Sequence, residues 1–173
     1  MSFVQRANRR LILKSRHVIG AHRYWRININ TTAYATANPG QNYAAIAQIS
    51  LTSSLINLAN LLGFGIASAS DDYYNATPAS NACDNDVSTC WISTQNGVPG
   101  WWQYDFGAGN AFNITSIDMM SSLNPSQVMM GPQNWDLQYS DNSGTWITVQ
   151  SFVSAPWVVG INQIFAVTNR FAP

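Results

Sequence analysis

Asn81-Ala-Cys-Asp-Asn-Asp-Val-Ser-Thr-Cys-Trp91, followed ten residues later by Trp101-Trp-Gln-Tyr-Asp-Phe-Gly107, is the stretch on which the reading of this chain turns. The first half is a loop of short oxygen-bearing side chains, the kind that close turns or hold a hard cation. The second half alternates large apolar and polar residues, the signature of a strand with one buried face. If Trp102, Tyr104 and Phe106 face a core, then Trp101, Gln103 and Asp105 face the other way. Neither half offers a nucleophile beside a base, which points toward recognition and away from catalysis.

The rest of the chain carries the same bias. It has 173 residues, 46% hydrophobic and 9% charged, with seven Trp. It has no Glu, and Lys14 is the only lysine. Helix-favouring side chains are therefore scarce, while β-branched, aromatic and turn-forming residues abound. Short strand candidates recur along it: residues 23–30, 44–53, 67–70, 101–106, 114–120, 135–140, 145–152 and 161–168. In the first of them Trp25, Ile27 and Ile29 share one face. Turns separate the strands, at Asn38–Asn42 and at Asp141-Asn-Ser-Gly144, where Asn and Gly tolerate the positive φ of a hairpin. Leu55–Gly65 reads as a loop with a helical turn, too short and too polar to span a bilayer. The pattern predicts an all-β antiparallel sandwich or barrel with Trp25, Trp91, Trp102, Trp135 and Trp146 in its core.

Charge is segregated. Seven of the eight basic residues lie in the first 26 positions, and all eight acidic residues are Asp between Asp71 and Asp141. From residue 27 onward one Arg faces eight Asp, a net of minus seven. Residues 1–22 read as a basic arm, with a short helix possible over Phe3–Lys14, and residues 23–173 as the sandwich. Arg6, Arg9, Arg10, Lys14 and Arg16 of the arm suit an acidic partner surface. Nucleic acid is the less favoured partner. Cys83 and Cys90 flank the acidic loop and are compatible with one disulfide or with two buried thiols. His17 and His22, the two histidines, lie in the arm, far from any candidate nucleophile, so no enzyme is expected.

The ordered motifs resemble the discoidin family, also called coagulation-factor type C domains, within the galactose-binding-like jelly-roll sandwiches. Ala82, Asp84, Asn85, Asp86, Thr89 and Trp91 fall in register with the family's loop. Trp101, Gln103, Asp105 and Gly107 match its next strand, and Gly131–Asp141 with Gly144 and Trp146 resembles its following hairpin. Residues 23–27 and 45–49 look like the family's closing strands, yet here they come first, as in a circular permutation. That arrangement is associated with proteins of tailed phages and prophages.

The resemblance implies sites. In sugar-binding relatives the loop holds calcium, which nominates Asp84, Asp86 and Thr89, with the backbone of Ala82 nearby. Gln48 stands where relatives often place a Glu, and a neutral amide there predicts a weaker site. The alternative is a loop in which Asp84 and Thr89 only bond backbone N–H groups. No other cofactor is expected. Ligands of the family bind at loop tips, which nominates Tyr73, Tyr74, Trp101 and Trp157, with Asp72, Asn124 and Gln127 as polar partners. Met119-Met120 and Met129-Met130 flank the Asn124 loop.

Two functions are compatible with this. The favoured one is a non-enzymatic virion structural protein, a tail or capsid component anchored by its arm to other virion proteins, part of a larger assembly or a homo-oligomer. Low surface charge favours it. The alternative is a carbohydrate-binding module that attaches a particle to host-surface glycans.

Overall fold

The structure, a computed structural model, describes residues 20–53, 63 and 65–168. The arm residues Arg6, Arg9, Arg10, Lys14 and Arg16, the candidate helix over 3–14 and nearly all of 55–65 lie outside them. Ten strands follow in chain order: β1 Tyr24–Thr32, β2 Ala45–Ile46, β3 Gln48–Thr52, β4 Ile66–Ala69, β5 Trp91–Ile92, β6 Gly100–Asp105, β7 Ser116–Met120, β8 Pro132–Ser140, β9 Ile147–Val153 and β10 Gln163–Ala166. A single α-helix among the described residues, α1, spans Ala33–Ala37, and 3-10 turns cover Ala79–Cys83 and Val128–Met130.

Every strand pair is antiparallel. One sheet has the order β4-β6-β1-β8-β9, the second β10-β7-β3, and β2-β5 form a small pair of their own. The two larger sheets enclose one core. Trp25, Ile27 and Ile29 of β1, Trp102 and Tyr104 of β6, and Trp135 and Leu137 of β8 meet Ile49 and Leu51 of β3, Ile117 and Met119 of β7, and Phe165 of β10. The molecule is thus an all-β antiparallel sandwich. Alternation along β1 and β6 places its faces as the sequence requires: Trp102, Tyr104 and Phe106 are buried, while Trp101, Gln103 and Asp105 line the outer face.

The indole N–H groups buried with their rings find carbonyls. Trp25 Nε1 donates to the carbonyls of His22 and Phe112, Trp91 Nε1 to Asp71, and Trp102 Nε1 to Ala79, all within 3.2 Å. Trp135 Nε1 donates to Ser154 Oγ. Trp157 Nε1 likewise donates to Pro132 O, and such bonds remove the cost of burying a donor and explain how five Trp fit one small core. Trp146 is the exception to the expected five. It is half-buried on the outer face, with the Arg26 guanidinium 4.2 Å from its ring centre. It lies one residue before β9, beyond the alternation that turns side chains inward.

Three further departures have local causes. The single strand expected over 44–53 is divided between two sheets: Ala45 and Ile46 pair with β5, while Gln48–Thr52 pair with β7. Ala47, fully buried, is the corner. The positive φ of the β8–β9 hairpin falls on Ser143, at 58°, because Asn142 Oδ1 accepts from the N–H groups of Gly144 and Thr145 and shapes the turn from its side chain. His22 joins the body: its backbone bridges Phe112, its ring stacks 3.5 Å from Tyr139, and its Nδ1 lies 3.1 Å from the Asp141 carboxylate.

Asp105 of the 101–107 motif is a structural residue. It takes a bidentate bond from Arg23 at 2.7 and 2.8 Å and accepts from Gly107 N. The Arg23 bond holds its carboxyl below the ordinary carboxylate range. A depressed folded value contributes stability that is complete above the unfolded pKa of about 4 and is lost as pH falls through the folded value. Asp105→Asn therefore lowers Tm at pH 7, and the gap from the parent narrows as melting is followed down toward pH 2.

Candidate functional site

Four tyrosines meet at one end of the sandwich. Tyr34 sits on α1, Tyr43 precedes β2, and Tyr73 and Tyr74 follow β4. Each ring stands edge-on to the next: Tyr34 to Tyr43 at 6.1 Å, Tyr43 to Tyr73 at 6.0 Å and Tyr73 to Tyr74 at 4.6 Å between centroids. They line two adjoining clefts. One, of about 260 Å³, is bounded by Tyr34, Gln41, Tyr43, Tyr73, Ile92, Gln127 and Met130. The other, of about 160 Å³, is bounded by Tyr43, Tyr73, Tyr74, Thr94, Gln95 and Asn96.

Hydrogen bonds from buried or half-buried groups hold these loops to one another. Thr32 is fully buried and its Oγ1 does two things. It accepts from Ala35 N, capping the helix that carries Tyr34, and donates to the carbonyl of Tyr43 at 3.0 Å. Asp71 accepts from both Thr94 N and Thr94 Oγ1, tying the loop before Tyr73 to the loop after β5. Asn42 N donates to Gln95 O, and Gln95 Nε2 returns a bond to Gly40 O. Gly97 is needed where these loops close, since a Cβ there would collide with the Ser93 side chain and Asp71 Oδ1. Thr32→Ala leaves the Tyr43 carbonyl and the Ala35 N–H without their partner. A loss of about 1–2 kcal/mol in chemical denaturation is expected.

Tyr74 shows where strain has been placed. It has φ 53° and its neighbour Asn75 has φ 55°. Asn enters this left-handed region readily, a bulky Tyr does not. The conformation is held by Asn75 N donating to Asp72 Oδ1, and by Ala76 N donating to Tyr73 O. Its result is an aromatic ring 82% exposed at the rim of the cleft.

Uncharged side chains line the cleft, and the carboxylates of Asp71 and Asp72 stand in the loop just before Tyr73. The cations among the described residues are Arg23, bound to Asp105, and Arg26, over Trp146. Neither lines the cleft. The Tyr43 phenol is pushed up by burial and by the neighbouring phenols of Tyr73, Tyr74 and Tyr34, so it stays protonated.

Among the residues nominated from sequence, Tyr73, Tyr74 and Gln127 come together here, with Asp72 bracing the loop. The other three lie elsewhere. Trp101 is on the outer face of β6, directly across from Asn28 of β1. Trp157 is buried, its Nε1 donating to Pro132 O and its ring against Gly131, so it is unavailable to a ligand. Asn124 accepts from Ser126 N and Oγ and closes its own turn. Tyr34, Gln41 and Tyr43 were not nominated. Met119 is buried in the core, and Met130 packs in a smaller cluster with Ala45 and Ile92, beneath the cleft.

The Asn81–Trp91 loop is a separate feature. Asp84 Oδ1 accepts from Asp86 N, and Asp86 Oδ1 from Ser88 N and Oγ, so the loop does close its own turns. The Ser88 bonds hold the Asp86 carboxyl below its usual range. The other oxygens do not sort so simply. Thr89 Oγ1 lies 2.7 Å from Asp84 Oδ2, 2.9 Å from Asp86 O and 3.4 Å from Asn81 O. A hydroxyl carries one proton and donates to one of the three, and Asp86 O already accepts from Thr89 N at 3.1 Å. One carboxylate and two carbonyl oxygens thus gather about Thr89 Oγ1, against the six to eight oxygen ligands that calcium takes. Asp86 enters this set through its carbonyl, its carboxylate being turned to Ser88. Gln48 Oε1 is buried without a partner, on a strand that packs against the turn opening the loop. Among the described residues no group of three or more His, Cys, Asp and Glu gathers to hold a metal. Cys83 and Cys90 are free thiols packed in different apolar clusters, and burial pushes Cys83 up to about 11.

The family model of the F5/8 type C domain matches residues 66–171. The chain belongs to this family. The match begins at β4, so β1, β2 and β3 lie ahead of it in sequence. Yet β1 is the central strand of the five-stranded sheet of this F5/8 type C domain, between β6 and β8. A comparison with curated proteins finds no match.

Proposed function

We propose that the chain is a non-enzymatic carbohydrate-recognition module whose tyrosine cleft receives a neutral sugar. The observation that carries this is the row of four tyrosine rings bordered by uncharged hydrogen-bonding side chains, Gln41, Thr94, Gln95, Asn96 and Gln127. A pyranose offers apolar C–H faces to a ring and hydroxyls to amides, and a concave site with both matches it. An anionic headgroup would find no counter-charge there. Reaction chemistry finds no support among the lining residues, which include no His, Cys, Lys or carboxylate. A glycan array probed with the full chain tests the proposal. Saturable binding to neutral glycans is the expected result, and a blank array, or binding restricted to anionic glycans, overturns it.

Calcium is proposed as a brace for the Asn81–Trp91 loop through Asp84 Oδ2, Asp86 O, Asn81 O and Thr89 Oγ1. With one carboxylate in the set and Gln48 in place of a second, the affinity is modest. Millimolar calcium raises Tm of chelator-treated protein by a few degrees, by mass action on the folded state. Asp84→Asn removes that rise. An unchanged Tm in the parent would refute the brace.

The virion-component reading is retained as a second proposal. The 9% charge content favours a chain packed among subunits. The arm residues Arg6, Arg9, Arg10, Lys14 and Arg16 would then anchor it to acidic neighbours. Stoichiometric recovery of the protein in purified particles is its test.

A further inference from the structure

The two tyrosine clefts share the rings of Tyr43 and Tyr73 but differ in the rest of their lining. The smaller is completed by Tyr74, Thr94, Gln95 and Asn96, with no aliphatic side chain. The larger has an aliphatic floor. Ile92 and Met130 line it while only 8% and 9% exposed, and they pack with Ala45. A sugar hydroxyl set on that floor would lose water and gain no partner. The hydrogen bonds of the larger cleft also have a direction. Ser122 is buried, and its Oγ accepts from Asn124 N and donates to Gln127 Oε1 at 2.9 Å. That bond orients the Gln127 amide: its oxygen is taken, and among the described residues no hydrogen bond occupies its Nε2. Gln41 repeats the arrangement, its Oε1 accepting from the Tyr34 hydroxyl at 3.0 Å. The smaller cleft has the opposite polarity. There Gln95 gives its Nε2 to Gly40 O, so its oxygen is the group that remains.

Amide donors beside an aliphatic floor call for a ligand group that joins an acceptor to a methyl. An acetamido group is such a group. Its N–H can donate to the phenol oxygen of Tyr43 or Tyr73, neither of which carries a hydrogen bond among the described residues. A plain hydroxyl brings no methyl. A carboxylate would meet the same donors, but it too lacks the methyl, and it would enter the field of Asp71 and Asp72 in the loop before Tyr73. We propose, resting on the sugar-binding reading of this cleft, that its preferred ligand is a neutral 2-acetamido sugar. The acetyl methyl lies on Ile92 and Met130, and the carbonyl oxygen accepts from Gln127 Nε2. The sugar ring then meets Tyr43 and Tyr73, with its hydroxyls toward Gln95 and Asn96 in the smaller cleft.

Carbon–proton spectra of methionine-methyl-labelled full chain test this, in titrations with N-acetylglucosamine, N-acetylgalactosamine, glucose and galactose. Burying one methyl and filling one amide donor together correspond to about a tenfold gain in affinity. At least one acetamido sugar is therefore expected to bind about tenfold more tightly than its parent hexose. A nuclear Overhauser effect between its acetyl methyl and the Met130 methyl is expected with it. Gln127→Glu keeps the oxygen that Ser122 bonds and replaces the donor by a second oxygen, so it should cancel most of the tenfold ratio. Hexoses that bind as tightly as their acetamido counterparts overturn the proposal and leave the neutral-sugar reading standing. A preference that survives Gln127→Glu, or an acetyl methyl without contact to Met130, overturns it in the same way. No binding of any neutral sugar, in solution or on the array, removes both.

Discussion

A fragment comprising residues 66–171, the span the family match covers, does not fold. It lacks β1, which pairs with β6 on one side from Tyr24 to Ile29 and with β8 on the other from Tyr24 to Thr32. Without it the centre of the five-stranded sheet is missing, and β6 and β8 have no shared neighbour. It also lacks β3, the partner of β7. Trp25, Ile27, Ile29, Ile46, Ile49 and Leu51, all at most 1% exposed, go with β1, β2 and β3. Burial of a large apolar side chain contributes about 1.5–3 kcal/mol, so six of them represent about 10 kcal/mol or more. That equals the whole net stability of an ordinary domain, about 5–15 kcal/mol. Collapsed nitrogen–proton spectra are expected for the fragment, with dispersion restored by adding a peptide of residues 20–53. A dispersed spectrum from the fragment alone would contradict the topology.

The second large effect falls on binding. Tyr73→Ala and Tyr74→Gly each weaken sugar affinity at least tenfold, about 1.4 kcal/mol. For Tyr74 the effects on binding and on stability have opposite signs. Glycine adopts the left-handed conformation without the steric penalty that a tyrosine side chain incurs, and the ring that is lost is 82% exposed. Tyr74→Gly is therefore expected to keep or raise stability, by up to about 1 kcal/mol, while binding fails. A variant that loses both together would mean that Tyr74 serves the fold and not a ligand. Titration calorimetry with a glycan identified on the array, paired with thermal melting, separates the two.

The strands and their facing were legible because burial on one face imposes a period of two, which β6 keeps throughout and β1 keeps from Tyr24 to Ile29, ahead of a register shift against β8. The 81–91 loop and the 101–107 strand were legible for a related reason. Asp105 has to meet Arg23 and Gly107 N, and Trp91 and Trp102 have to lead their N–H groups to Asp71 and Ala79. Side chains with such fixed geometric tasks leave a spaced motif. Trp146 misled because a tryptophan beside a strand looks like core until the cation stacked on it is seen. The split at Ala47 was hidden because both halves are apolar on both sides of the corner.

The tyrosine cleft was only half legible. Tyr73 and Tyr74 stand out as a pair in a turn and Gln127 as a loop-tip amide, but Tyr34 on α1 and Tyr43 before β2 come from elsewhere in the chain. Thr32 unites two of them through one hydroxyl, and nothing in Thr31-Thr32-Ala33-Tyr34 announces that. Sites assembled from loop tips leave no periodic trace. Trp101 was attractive because it faces outward, yet outward on β6 is the sheet face and not the loop end.

We propose that a neutral sugar is received by the tyrosine row and not by the sheet face. This is tested most directly by carbon–proton spectra of aromatic-labelled full chain during titration with neutral monosaccharides, beginning with galactose and glucose. Saturable shifts of the ring signals of Tyr34, Tyr43, Tyr73 and Tyr74 are expected, with the Trp101 and Trp146 signals unmoved. Shifts at Trp101 with a silent tyrosine row, or no shifts with any neutral sugar, would contradict it.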